Sequence, residues 1–240
     1  MIKSLKTAVR MVLRILGLEI HSYRGVRTSM SQAVVHLKSR GLKPRTVIDG
    51  GVAYGTPGLL GEFAESRYLL VEPLAEFGPY IRDLMQKYDA VYAPVALGAK
   101  EGSITFSVKH RLTGSGAYQD VSASVDVKEA RKIPVKSLDG LCAENGLRGP
   151  YLLKLDVEGA ELDALQGASR VLEETEVAII EVTFVAKLAG APEAGDVIAY
   201  MADKGFCVYD IVNMRNGRPS GRLSQADVVF VKNESKLRRA

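Results

Sequence analysis

An acid followed at once by a glycine-rich turn stands out in TVIDGGVAYGT, where Asp49 ends an apolar run and Gly51 and Gly55 come next. Glycines let a backbone turn tightly and approach a ligand closely, while amides at the start of a following helix can bind a carboxylate or phosphate. The segment therefore reads as a nucleotide-type turn or as a bare strand-to-helix connection. Spacing narrows the first reading. A dinucleotide turn reads GxGxxG, whereas these glycines read GGxxxG behind an acid, and no GxxxxGK[ST] phosphate loop occurs. A second acid, Glu72, ends the next apolar run in RYLLVEP. It can accept both hydroxyls of a ribose, or it can simply be a solvated strand-end acid. In doubly wound folds the ligand lies across the carboxyl ends of the strands, so the turn and Glu72 should face one crevice.

The third cluster is KLDVEGAEL, in which Asp156, Glu158 and Glu161 crowd the end of an apolar run. Glu161 falls in the first turn of the helix expected to follow, where the helix dipole stabilises a carboxylate, so a structural role is as good a reading as a catalytic one. Asp156 and Glu158 are the stronger catalytic candidates. Glu181 ends a further run, AIIEV, and His110 lies in the loop KHRLTGSGAY. Three histidines in the whole chain form no cluster, and a loop histidine is first of all a solvated one. The strand-end carboxylates Asp156, Glu158 and Glu181 can converge. Oxygen ligands of this kind suit magnesium, but gripping hydroxyls directly is the favoured use, and no metal is assigned.

These residues need an alternating scaffold to bring them together. Short β-branched runs at Thr46–Asp49, Tyr68–Glu72, Ala90–Leu97, Tyr151–Asp156 and Val177–Thr183 read as strands, with late strands at Phe206–Ile211 and Asp227–Val231. Amphipathic stretches at Leu74–Lys87, Ala160–Glu173 and Pro192–Lys204 read as the helices between them. That order predicts an α/β fold with a doubly wound, mostly parallel sheet, closed by an antiparallel hairpin at its C-terminal edge. Between Gly98 and Leu141 the alternation breaks into GSITFSV, a Gly/Ser loop and IPVKSLDGL, read as an insertion over the sheet.

The 240 residues suffice for a core without staples, and 47% hydrophobic with 25% charged residues describes an ordinary globular chain. Cys142 and Cys207 have neither disulfide-framework nor zinc spacing. A net charge of +4 is too small to argue for nucleic acid. Residues 1–40 read as a basic amphipathic helix and lead-in, and residues 41–240 as the catalytic domain. Lys3, Lys6, Arg10 and Arg14 recur on one helical face and Ile2, Leu5, Val9, Leu13 and Leu16 on the other. Such a helix packs against the domain or a partner, or rests weakly on an anionic membrane surface. The interior charges argue against a signal peptide, and no run is long enough to span a membrane. A cytoplasmic protein, at most peripheral to the inner face of the membrane, is the resulting expectation.

In register from Thr46 to Val182, VIDGGVAYGT, LLVEP, PVALG, KLDVEGAELDALQGA and AIIEV resemble the FkbM-type methyltransferases, KLDVEGAEL being the specific part. The resemblance implies a Rossmann-like class I fold and S-adenosylmethionine as cofactor. Asp49, Gly51, Gly55 and Thr56 would then surround its methionine part, with Tyr54 of the same turn also among the cofactor-binding residues. Glu72 with Pro73 would hold the ribose, and Ala96 and Leu97 would line the adenine. Ser115 resembles the family's small-residue loop near the cofactor, and Asp156 borders the same ligand. No histidine follows Val182, where many relatives have one. The family acts mostly on hydroxyls of sugars or glycosylated metabolites. A hydroxyl acceptor calls for a general base, for which Asp156, Glu158, Glu181 and His110 are the candidates. The alternatives are a methyltransferase for RNA or another acceptor, and an inactive, methyltransferase-like binding subunit. A small-molecule or glycan acceptor is expected rather than nucleic acid, and self-association is left open.

Overall fold

The computed structural model describes residues 26–110, 112–116, 127–185, 190–217 and 219–239. The basic segment preceding Val26 and the loop residue Arg111 lie outside the described residues. Seven strands form one sheet in the order β3-β2-β1-β7-β8-β10-β9. They are β1 (Thr46–Gly50), β2 (Arg67–Val71), β3 (Ala90–Ala93), β7 (Tyr151–Leu155), β8 (Thr175–Thr183), β9 (Phe206–Asn216) and β10 (Leu223–Lys232). All neighbours pair in parallel except β10, which runs antiparallel to both β8 and β9. The expected edge hairpin is therefore present, and strand order reverses between β1 and β7.

Period two along each strand sorts the side chains into two cores. Ile48, Leu153, Leu155, Ile180 and Phe230 pack on one face beneath α4 (Leu138–Glu144), α5 (Glu161–Gln166), α6 (Ser169–Glu173) and α7 (Ala194–Asp203). Val47, Tyr68, Leu70, Leu152, Ile179 and Val229 pack on the other, beneath α1 (Met30–Ser39), α2 (Pro57–Leu60) and α3 (Gly78–Met85). Both faces are covered, which is why the parallel strands read as continuous apolar runs. Helix α1 starts at the cap Ser29, whose side chain accepts from the Gln32 amide. It buries Ala33, Val34 and Leu37 in the second core, although the sequence division places it in the lead-in.

Three expected elements are divided in the structure. The strand expected over Ala90–Leu97 stops at Ala93, because Pro94 has no N–H to offer a ladder. Its last residues become β4 (Ala96–Leu97), which joins β5 (Gly102–Lys109) and β6 (Val127–Lys136) in a separate three-stranded sheet of order β4-β6-β5. This sheet is the expected insertion, and its Phe106, Val108, Ile133 and Val135 pack into the second core. The helix expected over Ala160–Glu173 breaks at Gly167, where a side chain would lie 2.2 Å from the Gly98 carbonyl oxygen. The helix expected over Leu74–Lys87 begins as a 3-10 turn at Ala75–Phe77 before α3 takes over.

Gly51 fixes how closely β1 and β7 approach at their carboxyl ends. Its φ is +79°, and a Cβ there would sit 1.8 Å from the Asp156 carbonyl oxygen. Gly41, at φ +102°, has open space around it. Gly41→Ala should thus cost only backbone strain, about 1–2 kcal/mol. Gly51→Ala adds overpacking against backbone and should cost more than about 3 kcal/mol in chemical denaturation. Equal losses in the two variants would contradict the close approach.

Candidate active site

A cavity of about 340 Å³ opens at the carboxyl ends of the parallel strands, at the lower end of the roughly 300–1,000 Å³ of ligand pockets. Its floor comes from the glycine turn and strand ends, including Gly51, Ala53, Glu72 and Asp156. Its roof comes from the small sheet and the loop that follows β5, with Ile104, Phe106, Leu112 and Ser115. Roof and floor are clamped together. Arg131 of β6 donates to both oxygens of Glu76, at 3.0 and 2.8 Å, and these bonds hold the Glu76 carboxyl down at about 2.

At one end of the cavity, the Glu72 carboxylate accepts from the amides of Ala53 and Leu74, each at 3.0 Å. Burial raises its pKa, and the two amides and Lys154 work against that rise. Two amides leave lone pairs on both oxygens, so the group can still accept from a diol. Pro73, Leu74, Phe77, Ala96 and Leu97 give this end an apolar wall. The Ser115 hydroxyl accepts from the Lys109 amide at 2.9 Å, which ties the roof loop to β5.

At the other end Asp156, Glu158 and Glu181 converge with Arg215. Glu181 is almost fully buried, and its Oε2 accepts from Gln225 at 3.2 Å. The Arg215 guanidinium lies 3.6 Å from its Oε1. Burial, then the charges of Asp156 and Glu158, push the Glu181 carboxyl up to about 9. Glu158 is raised as well, by burial first and Asp156 second, with Lys109 and Arg215 opposing. It holds a left-handed φ of +54°, a strained backbone for a residue with a side chain. Glu161, by contrast, turns inward. Its Oε1 accepts from the amides of Val157 and Gly159 at 3.0 and 3.2 Å, fixing the turn that presents Asp156 and Glu158.

Of the residues proposed from sequence, the cavity brings together Gly51, Glu72, Pro73, Ala96, Leu97, Ser115, Asp156, Glu158 and Glu181. Asp49, Tyr54, Gly55, Thr56 and His110 do not line it. Asp49 is fully buried behind the turn. Tyr54 is exposed and packs edge-on against Phe77 and Tyr80, with ring centroids 5.0 and 4.9 Å away. Thr56 caps α2, a helix of four residues with Pro57 at its start, so the turn meets the cavity through Gly51 and Ala53 rather than through helix amides. His110 is exposed just beyond β5. Among the described residues, no three His, Cys, Asp or Glu side chains are grouped so as to hold a metal ion. No described helix is long and apolar enough to cross a membrane.

Lys154 and Arg215 were not singled out as site residues from sequence, yet both act here. Lys154 is buried in the middle of β7, opposite Asp49 in the parallel register. Its ammonium lies 3.1 Å from Asp49 Oδ1 and 3.9 Å from Asp156 Oδ2, and it donates to the carbonyls of Gly50 and Gly51 at 3.2 and 2.8 Å. Burial disfavours its charge, but Asp49 and Asp156 outweigh burial and raise its pKa. The readable signal was one charge in each of two otherwise apolar strands, VIDG and YLLKL.

A doubly wound sheet with one antiparallel strand before its edge, and a cavity over its switch point, is the Rossmann-like fold of class I methyltransferases. The Methyltransferase FkbM domain matches residues 58–208, and the chain belongs to that family. Among solved structures, an FkbM methyltransferase from Methylobacillus flagellatus KT is 16% identical, with a TM-score of 0.49 over 77% of this chain and 43% of that one. This chain thus spans less than half the length of that protein. Magnesium protoporphyrin IX methyltransferase from Synechocystis PCC 6803, solved with bound SAM, is 13% identical, with a TM-score of 0.47 over 84% of this chain and 76% of that one. No curated protein matches the sequence. The assignment rests on the family match rather than on these distant likenesses.

The Glu181 carboxyl keeps its proton in the folded protein to about pH 9, whereas the unfolded chain releases it near its ordinary value of 4.5. The folded state then binds the extra proton, so this group's contribution to stability is full below pH 4.5 and is lost progressively towards pH 9. Glu181→Gln carries no such proton. Its advantage over the wild type in urea melts should grow with pH across that window and level off above it, and a pH-independent difference would contradict the assignment.

Proposed function

We propose that the protein is an S-adenosylmethionine-dependent O-methyltransferase acting on a hydroxyl of a sugar or glycosylated metabolite. The observation that carries this reading is one cavity with two unlike ends, a diol-accepting Glu72 beside an apolar wall and a cluster of carboxylates opposite. Glu72 suits a ribose, and the wall formed by Leu74, Phe77, Ala96 and Leu97 suits an adenine. Gly51, bare of side chain, leaves room for the methionine part next to Asp156. S-adenosylmethionine supplies an electrophilic methyl group on a sulfonium.

The remaining tasks are positioning, exclusion of water and removal of the hydroxyl proton. The roof of Ile104, Phe106 and Leu112 keeps water from the reacting end. Glu158 is assigned as the base, since burial shifts it from the ordinary carboxylate range towards the neutral pH at which a base works best. Glu181, protonated up to about pH 9, donates a hydrogen bond to a neighbouring acceptor oxygen rather than taking a proton. Asp156 accepts from a further hydroxyl. The acids Asp156 and Glu158 beside the protonated Glu181 offer both acceptors and a donor to the hydroxyls of a polyol, which supports a sugar acceptor.

Two measurements test this reading. Calorimetric titration with S-adenosylmethionine should show one site, and labelled cofactor incubated with glycan, lipid-linked, small-molecule and RNA fractions should mark a hydroxyl in one of the first three. Glu158→Gln should lower that transfer by about 10²–10⁴-fold while leaving cofactor affinity unchanged. No binding of the cofactor, or label appearing in RNA, would overturn the proposal.

A further inference from the structure

Lys154 does not line the cavity, yet it is buried beneath it and bonded to the turn that does. Asp49 and Lys154 are register partners on adjacent parallel strands, and period two points both side chains to the same face of the sheet. Neither oxygen of the buried Asp49 carboxylate has a hydrogen-bond partner among the described residues, so its contact with Lys154 is a charge pair. The aligned bonds of the ammonium go instead to Gly50 and Gly51, the last residue of β1 and the first of the turn. The Gly50 carbonyl also accepts from the Asp156 amide at 3.0 Å, so one peptide of β1 is gripped by β7 from two directions.

We infer that Lys154 is a positioning residue for the methyl-donor turn: its ammonium holds the Gly50 and Gly51 carbonyls against β7, and Asp49 is buried to keep that ammonium charged and in place. The inference rests on the donor-binding reading above. It gives Asp49 a different duty from direct contact with the cofactor, and it explains why a charge pair stands where two apolar residues would fill the core at lower desolvation cost. Gly51 borders both the cavity and Asp156, so slack in the turn would move the donor end of the site relative to the acceptor acids.

The competing account is that Lys154 merely neutralises Asp49. Removing Lys154 alone would strand the buried carboxylate and confound the two, so the informative variants remove both charges. Asp49→Asn/Lys154→Met keeps the shape without charge, and Asp49→Asn/Lys154→Gln restores an N–H donor near the carbonyls. Calorimetric titration with S-adenosylmethionine is run first on the wild type, where failure to bind would defeat the donor reading itself. Hydrogen exchange of residues 50–55 reads the turn without any ligand.

For the Met double variant, the expected result is a folded protein with at least tenfold weaker cofactor binding and at least tenfold faster exchange over residues 50–55. The Gln double variant should recover part of both. Wild-type affinity and exchange in the Met variant, or identical behaviour of the two variants, would overturn the inference. Failure of both to fold would also overturn it, since Lys154 would then be a residue of the core rather than of the turn.

Discussion

The site depends on the contact between the ends of β1 and β7. The two strands pair in parallel from Thr46 opposite Tyr151 to Gly50 opposite Leu155, and beyond that point their chains must leave in different directions. β1 leads through α2 to β2 on one side, and β7 leads through α5 and α6 to β8 on the other. Separation at such a switch point opens the crevice in which doubly wound folds bind ligands. The crevice has definite walls only if the last contact before separation is rigid. Here that contact is the Gly51 backbone on the Asp156 carbonyl, closer than any side chain allows. The glycine turn and the acids Asp156 and Glu158 are consequently parts of one backbone junction.

Strand parity then decides which charges meet. Val47, Leu70, Leu152, Ile179 and Val229 all face the second core. Two residues on from each of the first four stand Asp49, Glu72, Lys154 and Glu181, and two residues before Val229 stands Asp227, paired with Glu181 in register. A row of ionisable groups thus crosses the sheet on one face at its carboxyl edge. Their environments push them apart. Lys154 stays charged among acids, Glu72 is steadied by two amides, and Glu181, crowded by Asp156 and Glu158, keeps its proton. Unlike protonation states within one row allow neighbouring carboxyls to donate and accept at the same pH.

Much of this was legible in the sequence, for definite reasons. Parallel strands covered on both faces write themselves as apolar runs, so VIDG, YLLVE and YLLKLD could be placed and their terminal acids aligned. Order and handedness rules then supplied the sheet. Helix α1 escaped because its apolar positions Ala33, Val34 and Leu37 are few and its cap is a single serine. The break at Pro94 follows from a residue type already readable in PVALG, whereas the break at Gly167 depends on what packs against the chain, the carbonyl of Gly98. Asp49 was legible as important but not as buried. Its duty is set by Lys154, distant in sequence, and only the register brings the two together.

Arg215 shows what no periodicity could have revealed. β9 carries an extra residue against β10, because Val212 pairs with Asp227 while Arg215 pairs with Gln225. Asn213 absorbs the irregularity at φ +50°, its amide N–H bound to the Thr28 carbonyl and its side chain donating to Asp227 at 2.7 Å. A bulge shifts the next side chains by one position, and this one brings Arg215 over the cavity against Glu181. Without it, regular alternation would carry that guanidinium to the opposite face and take it away from Glu181. The carboxylate end of the cavity is therefore shaped from two sides, by the roof of β5 and its following loop and by the bulged edge hairpin. Both lie outside the parallel strands that define the fold, so this end of the cavity can change shape while the glycine turn between β1 and β7 stays fixed.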